Sequence, residues 1–404
     1  MTLSKELSWR GFVNQTTFPD IKALDGEPIS FYWGVDPSAS SMTIGNLAAG
    51  MLVRHFIDHG HKAYLLVGGA TGMIGDPDGK KDERNLKSLD EIAANKAAIR
   101  EQYKRIFADS PFEIVDNYDW FKDMNYLTFL RDVGKNVPIS QMLGRDFIQA
   151  RLGDGGSGIS YAEFSYALIQ GYDFVHLNRE RGVTLQLCGA DQWGNSITGV
   201  DLIRRINGQE AHVLSAPLIV NKATGVKFGK SEAGAVWLDP NLTSIYQFYQ
   251  FWLNVDDEGA VDYAKIYTLL SKKQIDELAA KQQANPGARD VQKALAYEVT
   301  KLVHGEQAAE SAKRVTGVLF GGAAFSELSE QDLELLAGEI PTASVGATAV
   351  DLLGSSGLTA SKGEARRLIL GGGVSINGEK IFDDKTVDQP SLIKKGKNSF
   401  LLVR

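Results

Sequence analysis

Between Ile29 and Gly75 the chain switches between two kinds of apolar spacing. Ile29-Ser30-Phe31-Tyr32-Trp33 and Ala63-Tyr64-Leu65-Leu66-Val67 are short β-prone runs, while Leu47 to His59 places its apolar residues at helical intervals. That order predicts a βαβ unit of a doubly wound parallel sheet, with the continuous apolar run as a strand buried on both faces. Gly68-Gly69-Ala70-Thr71-Gly72 follows the second strand at its carboxyl end, where open α/β sheets bind ligands. Val183 to Gly189 repeats the pattern and breaks into Gly189-Ala190-Asp191-Gln192, so this second polar cluster is expected to face the same crevice.

From Thr243 the texture becomes helical. Ile245 to Trp252, Gln292 to His304 and Gln307 to Leu319 carry helical spacing, and Gly321-Gly322 closes the region. Residues Ala323 to Ala347 mix Ser, Glu, Gly and Ala and are expected to form a linker. The pattern restarts at Ser361, a helix cap ahead of Arg366-Arg367, and continues to Asn377-Gly378, the strongest short hairpin signal in the chain.

Composition narrows the class. The 404 residues are 43% hydrophobic and 23% charged, as in ordinary globular chains, with room for two or three domains. One cysteine, Cys188, excludes an intrachain disulfide and is read as a small buried hydrophobe. No apolar run approaches the ~18 residues of a membrane span, and no secretory leader pattern opens the sequence, so a cytoplasmic protein is expected. The net charge of -7 argues against a nucleic-acid coat protein, but from Thr348 to Arg404 nine Lys/Arg face six Asp/Glu. This basic tail on an acidic body suits RNA contact, although a solvated face has the same composition. Of the six histidines, His55 and His59 stand four apart on a helix; without a third ligand they are read as surface residues, and no metal site is expected.

Two segments carry nucleotide chemistry. Asp36-Pro37-Ser38-Ala39-Ser40-Ser41-Met42-Thr43-Ile44-Gly45-Asn46 is a loop of small hydroxyl residues feeding a helix, whose N-terminus favours phosphate. Lys227-Phe228-Gly229-Lys230-Ser231 supplies positive charge on a glycine-hinged loop. Gly229-Lys230-Ser231 lacks the first glycine of a Walker loop, so the phosphate chemistry is of another kind.

Five runs in order resemble one family. Tyr32-Trp33-Gly34-Val35-Asp36-Pro37, Gly68 to Pro77, Phe164 to Phe174, Gly189-Ala190-Asp191-Gln192-Trp193-Gly194-Asn195 and Lys227 to Ser231 are similar to bacterial tyrosyl-tRNA synthetases, which are class I aminoacyl-tRNA synthetases. The resemblance spans nearly the whole chain. It implies a Rossmann-like α/β catalytic domain over 1–225, a KMSKS-like loop over 226–242, an α-helical anticodon-recognition domain over 243–322, a linker over 323–347 and an S4-like α+β RNA-binding domain over 348–404. It also implies a homodimer that takes L-tyrosine, ATP with Mg²⁺, and tRNA(Tyr).

The family's reaction needs no enzyme nucleophile, because the amino-acid carboxylate attacks the α-phosphorus itself. Positioning and charge stabilisation do the work. By resemblance, Tyr32 and Asp173 would hold the substrate phenol. Asp76, Tyr166 and Gln170 would hold its ammonium, with Asn117 in support, and Gln192 its carboxylate. Gly34, Asp36, Gly45, Gly189 and Asp191 would line the ATP site. Lys227, Lys230, Ser231, Ser38, Thr43 and Asn46, with the pair Lys80 and Arg84, would act on the phosphates. Lys362, Arg366, Arg367 and Lys380 would contact RNA.

The chain departs from the family in one signature. Thr43-Ile44-Gly45-Asn46 stands where His-Ile-Gly-His is usual, and Trp33 replaces a small residue expected beside the ribose. A paralogue that binds RNA but has lost adenylation is therefore the rival reading, opposed by retention of Tyr32, Asp173, Gln192 and Lys230. A tryptophan-specific relative is disfavoured, since indole cannot satisfy both partners of a phenol. Trp193 is read as packing beneath the Asp191-Gln192 turn.

Overall fold

The computed structural model describes the chain apart from residues 78–85, 109, 154, 223, 227, 232 and 233. Its contacts divide it into two compact units, one of Met1–Thr243 with Asn254–Leu295 and one of Ser244–Leu253 with Ala296–Arg404.

The first unit is built on a six-stranded sheet. Its strands are β1 (Gln15–Thr16), β2 (Ser30–Val35), β3 (Lys62–Val67), β4 (Phe112–Asp116), β5 (Val183–Gly189) and β6 (His212–Ala216), in the order β1-β6-β5-β2-β3-β4. All neighbours are parallel except β1, which runs antiparallel along the β6 edge. The chain leaves β2 toward β3 and β4, then returns to the other side of β2 with β5. The carboxyl ends of β2 and β5 therefore flank a topological switch point, the place where such sheets open a ligand crevice.

Alternation along β2 sorts its side chains. The Tyr32 ring lies against Phe174 at 5.2 Å, on the face covered by helix Tyr161–Arg181. Trp33 points the other way, against Tyr103 at 5.5 Å and Phe107 at 6.4 Å, where helix Leu89–Ile106 ends. Both residues are buried. The expected βαβ unit is present, with helix Ile44–Asp58 starting three residues before the spacing predicted.

The second unit contains a five-stranded sheet ordered 379–380, 374–376, 391–395, 399–403, 342–343. Helices Ala349–Ser355 and Lys362–Leu370 bury Leu353 and Ile369 together with Val374, Ile393 and Leu401 of the sheet. Ser361 caps the second helix by accepting from the Glu364 amide. Ile376 pairs with Glu379 across Asn377-Gly378, both at positive φ, as a two-residue hairpin turn requires.

The segment 323–347 is not the loose linker its composition suggests. It carries helix Glu330–Ala337, with Leu333 and Leu336 buried among Leu392, Phe400 and Leu402, and a strand paired with Ser399–Val403. Two leucines three apart made an apolar face that the surrounding small polar residues concealed. Helices Asp257–Tyr267 and Lys272–Ala284, which the spacing did not reveal, belong to the first unit.

Candidate active site

One face of helix Tyr161–Arg181 lines the crevice, because Tyr166, Gln170 and Asp173 recur at intervals of four and three. Asp173 is buried, and its carboxyl oxygens accept from Asn117 Nδ2 at 3.1 Å and Trp120 Nε1 at 3.0 Å. Burial drives its pKa well above the usual carboxylate range, against the pull of those two donors. Asn117 cannot turn over, since its Oδ1 accepts the Ala70 amide at 2.6 Å. Trp120 is fixed by stacking on His176 at 4.4 Å. The Tyr32 hydroxyl is buried on the same face and has no hydrogen-bonding partner among the described residues; burial and then the nearby Asp173 hold it protonated. The Gln170 carbonyl oxygen is also buried and without a partner among the described residues. This end of the crevice thus offers a carboxyl group held by two donors and an unsatisfied phenol hydroxyl.

Asp36, at the end of β2, accepts from Tyr166 Oη at 2.7 Å and Thr71 Oγ1 at 2.6 Å. Gly68 makes room for that contact, as a Cβ there would fall 2.2 Å from Asp36 Oδ1 and 2.3 Å from Thr71 Oγ1. Tyr166 was expected at the substrate ammonium; its hydroxyl proton is directed to Asp36, leaving its oxygen as the acceptor. Burial, then the carboxylates of Asp36 and Asp76, raise its pKa well above the ordinary phenol value. Gln192 donates from Nε2 to Asp76 Oδ2 at 2.6 Å, so the residues expected at the substrate carboxylate and ammonium are in direct contact.

The two nucleotide segments converge. Ile44 donates its amide to the Val236 carbonyl at 3.1 Å, and Val236 donates to the Gly229 carbonyl at 3.0 Å. Gly229 has φ +93°, and a Cβ there would meet Ile44 Cγ1 at 2.7 Å, so a larger residue would push the Lys230–Ser231 hairpin away from the helix start. Thr43 donates both its amide and its hydroxyl to Asn46 Oδ1, at 2.9 and 3.0 Å. A backbone N–H can only donate, which fixes the Asn46 amide with its Nδ2 directed away from the cap. Ser38, Gly34, Gly45 and Asp191 are solvent-exposed along the carboxyl rim of the sheet, and Gly189 closes β5 beside Asp191. Lys80, Arg84 and Lys227 lie outside the described residues.

Two expectations need correction, and two others hold. Trp33 is 4% exposed on the sheet face opposite Tyr32, so it packs in the core and does not border a ribose site beside Gly34. His55 is no surface residue: it is buried against Phe12, and burial with the positive field of Arg10, His59 and Arg54 lowers its pKa to about 3. Cys188 is buried and pushed up to about 12 by burial, as an inert thiol should be. Trp193 packs against the core cluster under its turn. No group of metal-ligating side chains occurs among the described residues. Sequence reasoning missed Thr71, Trp120 and Arg145; the first two follow the carboxyl ends of β3 and β4, which is the signal that would have found them. Lys362, Arg366, Arg367 and Lys380 are exposed on the second unit.

A mostly parallel sheet with a switch-point crevice, a helix-capping loop and a glycine-hinged hairpin against it defines a nucleotide-dependent α/β enzyme of the class I synthetase fold. The sequence model described as tRNA synthetases class I (W and Y) matches residues 24–321. A tyrosine–tRNA ligase of Bacteroides fragilis is 44% identical over 428 residues, covering 100% of this chain and 99% of the relative. Tyrosine–tRNA ligase 2 of Bacillus anthracis is 43% identical over 422 residues and covers 100% of both. A C-terminally truncated mitochondrial tyrosyl-tRNA synthetase of Aspergillus nidulans superposes with a TM-score of 0.72 at 28% identity, over 79% of this chain and 94% of that one. The chain belongs to the tyrosine–tRNA ligases within the class I tRNA synthetases.

Proposed function

We propose that this chain is an active tyrosine–tRNA ligase that joins L-tyrosine and ATP into tyrosyl-adenylate and pyrophosphate, then transfers the tyrosyl group to the 3′ end of tRNA(Tyr). In the first step the tyrosine carboxylate oxygen bonds to the α-phosphorus and the bond to the β-phosphate oxygen breaks. The observation that carries the reading is the buried Tyr32 hydroxyl, unpartnered among the described residues and near the buried Asp173 carboxyl, which a hydroxyl-bearing ring can serve and a phenyl ring cannot. Among the described residues nothing favours the impaired paralogue.

Within this reading Asp76, Tyr166 and Gln170 take the ammonium and Gln192 the carboxylate. Gly34, Asp36, Gly45, Gly189 and Asp191 line the nucleotide site. Ser38, Thr43, Asn46, Lys80, Arg84, Lys227, Lys230 and Ser231 serve the phosphates, and Mg²⁺ arrives with ATP rather than in a protein cage. The helical region 243–322 and the S4-like tail 348–404 take up tRNA; the exposed Lys362, Arg366, Arg367 and Lys380 support that role. A homodimer is proposed on family membership. The cytoplasm is the proposed compartment; among the described residues no helix is long and apolar enough to cross a membrane.

Amino-acid-dependent exchange of labelled pyrophosphate into ATP tests the reading, run with tyrosine, phenylalanine and tryptophan. Exchange with tyrosine alone is expected. Exchange with none, from folded protein, would overturn it.

A further inference from the structure

The polar groups behind Gln192 form a single directed chain. Arg145, which precedes helix 146–152, donates from Nη1 to Asn195 Oδ1 at 2.5 Å. Its Nη2 donates to the Gly194 carbonyl at 2.9 Å and to Thr198 Oγ1 at 2.7 Å. Asn195 donates from Nδ2 to Gln192 Oε1 at 3.3 Å, and Gln192 donates from Nε2 to Asp76 Oδ2 at 2.6 Å. A guanidinium can only donate and a carboxylate can only accept. The two amides between them therefore have one arrangement that satisfies every link. Turning either one over would set carbonyl against carboxylate or NH₂ against guanidinium. Arg145 and Asn195 also border one cavity with Tyr166 and with Pro77, the neighbour of Asp76.

We propose that Arg145 and Asn195 are positioning residues for the amino-acid site. They hold the Gln192 amide with its NH₂ end, not its carbonyl, beside Asp76, so that a donor for the substrate carboxylate stands next to an acceptor for its ammonium. The inference rests on the tyrosine-activating reading above. Neither residue reaches the substrate; each acts through Gln192. Without this anchor Asp76 alone sets the amide, and once that carboxylate turns to the substrate ammonium the amide can present its carbonyl oxygen to the incoming carboxylate.

Asn195→Asp tests this, because it keeps the shape and the Arg145 contact but replaces the donor to Gln192 with an acceptor. Arg145→Met removes the anchor independently, and Arg145→Lys keeps a donor-only cation. The readouts are kcat and KM for tyrosine in pyrophosphate exchange, Ki for tyramine, which lacks the carboxylate, and KM for ATP. Asn195→Asp and Arg145→Met are each expected to raise the tyrosine KM about tenfold, the loss of one well-placed hydrogen bond. Tyramine Ki should stay within about twofold, ATP KM should be unchanged, and Arg145→Lys should recover most of the loss. Equal weakening of tyrosine and tyramine would reduce the network to packing and overturn the proposal, as would a wild-type tyrosine KM in Asn195→Asp. If Asn195→Asp does not fold, Arg145→Met decides by the same comparison. Failure of the unaltered protein to exchange with tyrosine would instead overturn the activation reading itself.

Discussion

Tyr32→Phe separates what the active site costs from what it recognises. The hydroxyl belongs to a side chain only 2% exposed and has no hydrogen-bonding partner among the described residues, so its removal breaks no hydrogen bond there. The ring remains to pack on Phe174. Because an unsatisfied buried polar group costs about 1–3 kcal/mol, the free protein should be as stable as before, or more stable by about 1 kcal/mol. Tyrosine should suffer, since its phenol keeps Asp173 but loses its second partner. One neutral hydrogen bond is worth about 0.5–1.5 kcal/mol net, which lowers kcat/KM for tyrosine by about two- to tenfold. Phenylalanine leaves Tyr32 as unpartnered as it is in the free protein, so its kcat/KM should be little changed in the variant. Discrimination then falls by about two- to tenfold. Tyrosyl-tRNA synthetases are themselves the reference case for such rejection, at about 10⁵ against phenylalanine. Most of the rejection therefore stays with the Asp173 side of the pocket, where the phenol adds to the donors Asn117 and Trp120 that already hold the carboxyl. Thermal melts and exchange kinetics with both amino acids measure the two effects. A variant that melts several degrees lower, or that discriminates as well as the original, would refute the reasoning.

Three further outcomes are expected. His55 is held neutral in the fold, with its pKa lowered to about 3 from an unfolded value of about 6.5, so its contribution to stability is complete above pH ~6.5 and drains as pH falls toward 3. Arg10, Arg54 and His59 oppose its protonation, and Glu6, 3.6 Å away, offsets them in part. Between pH 6.5 and 5 the loss approaches 2 kcal/mol at ~1.36 kcal/mol per pH unit. Urea midpoints should shift less with pH in His55→Leu, and identical shifts would exclude this origin. At the helix cap, Thr43→Val should lower exchange by less than about threefold, while Asn46→Ala should lower it by about tenfold or more, as for a lost transition-state donor. The reverse ranking would show that the Thr43 hydroxyl leaves Asn46 and reaches the nucleotide. Arg366→Glu with Arg367→Glu should leave exchange within about twofold and weaken tRNA charging by tenfold or more, less so at high salt. Equal loss in both assays would refute an RNA role for this helix.

The sheet was legible because each central strand is a short apolar run and a buried parallel strand has little other composition open to it. The crevice was legible for the same reason: glycine and polar clusters directly after β3 and β5 mark carboxyl ends. Trp33 shows what was available and unused. Period-2 alternation alone places it opposite Tyr32 and Gly34, and positional analogy with a family overrode that reading. His55 was obscured differently, since helix Ile44–Asp58 is buried over so much of its circumference that no polar face remains to mark an exposed side. The segment 323–347 hid a cap, Ser329 accepting from Asp332, and the Leu333/Leu336 pair behind it. Both lie in a stretch that composition alone assigned to a loop.

Hydrogen-bond direction was the property no sequence pattern could supply. Asp191-Gln192-Trp193-Gly194-Asn195 names the residues of a turn but says nothing of which end of either amide faces which partner, because glutamine and asparagine read the same in both orientations. That choice is made by Arg145, forty-seven positions from Gln192, and by Asp76 on the far side. The same holds at Thr43, where the backbone amide alone decides that Asn46 presents nitrogen rather than oxygen. A histidine replaced by asparagine can keep a donor in place only if something else claims the oxygen. In this chain the substituted Thr43 makes that claim with both its amide and its hydroxyl, so the two departures from the usual signature are better understood as one coupled change than as two separate losses.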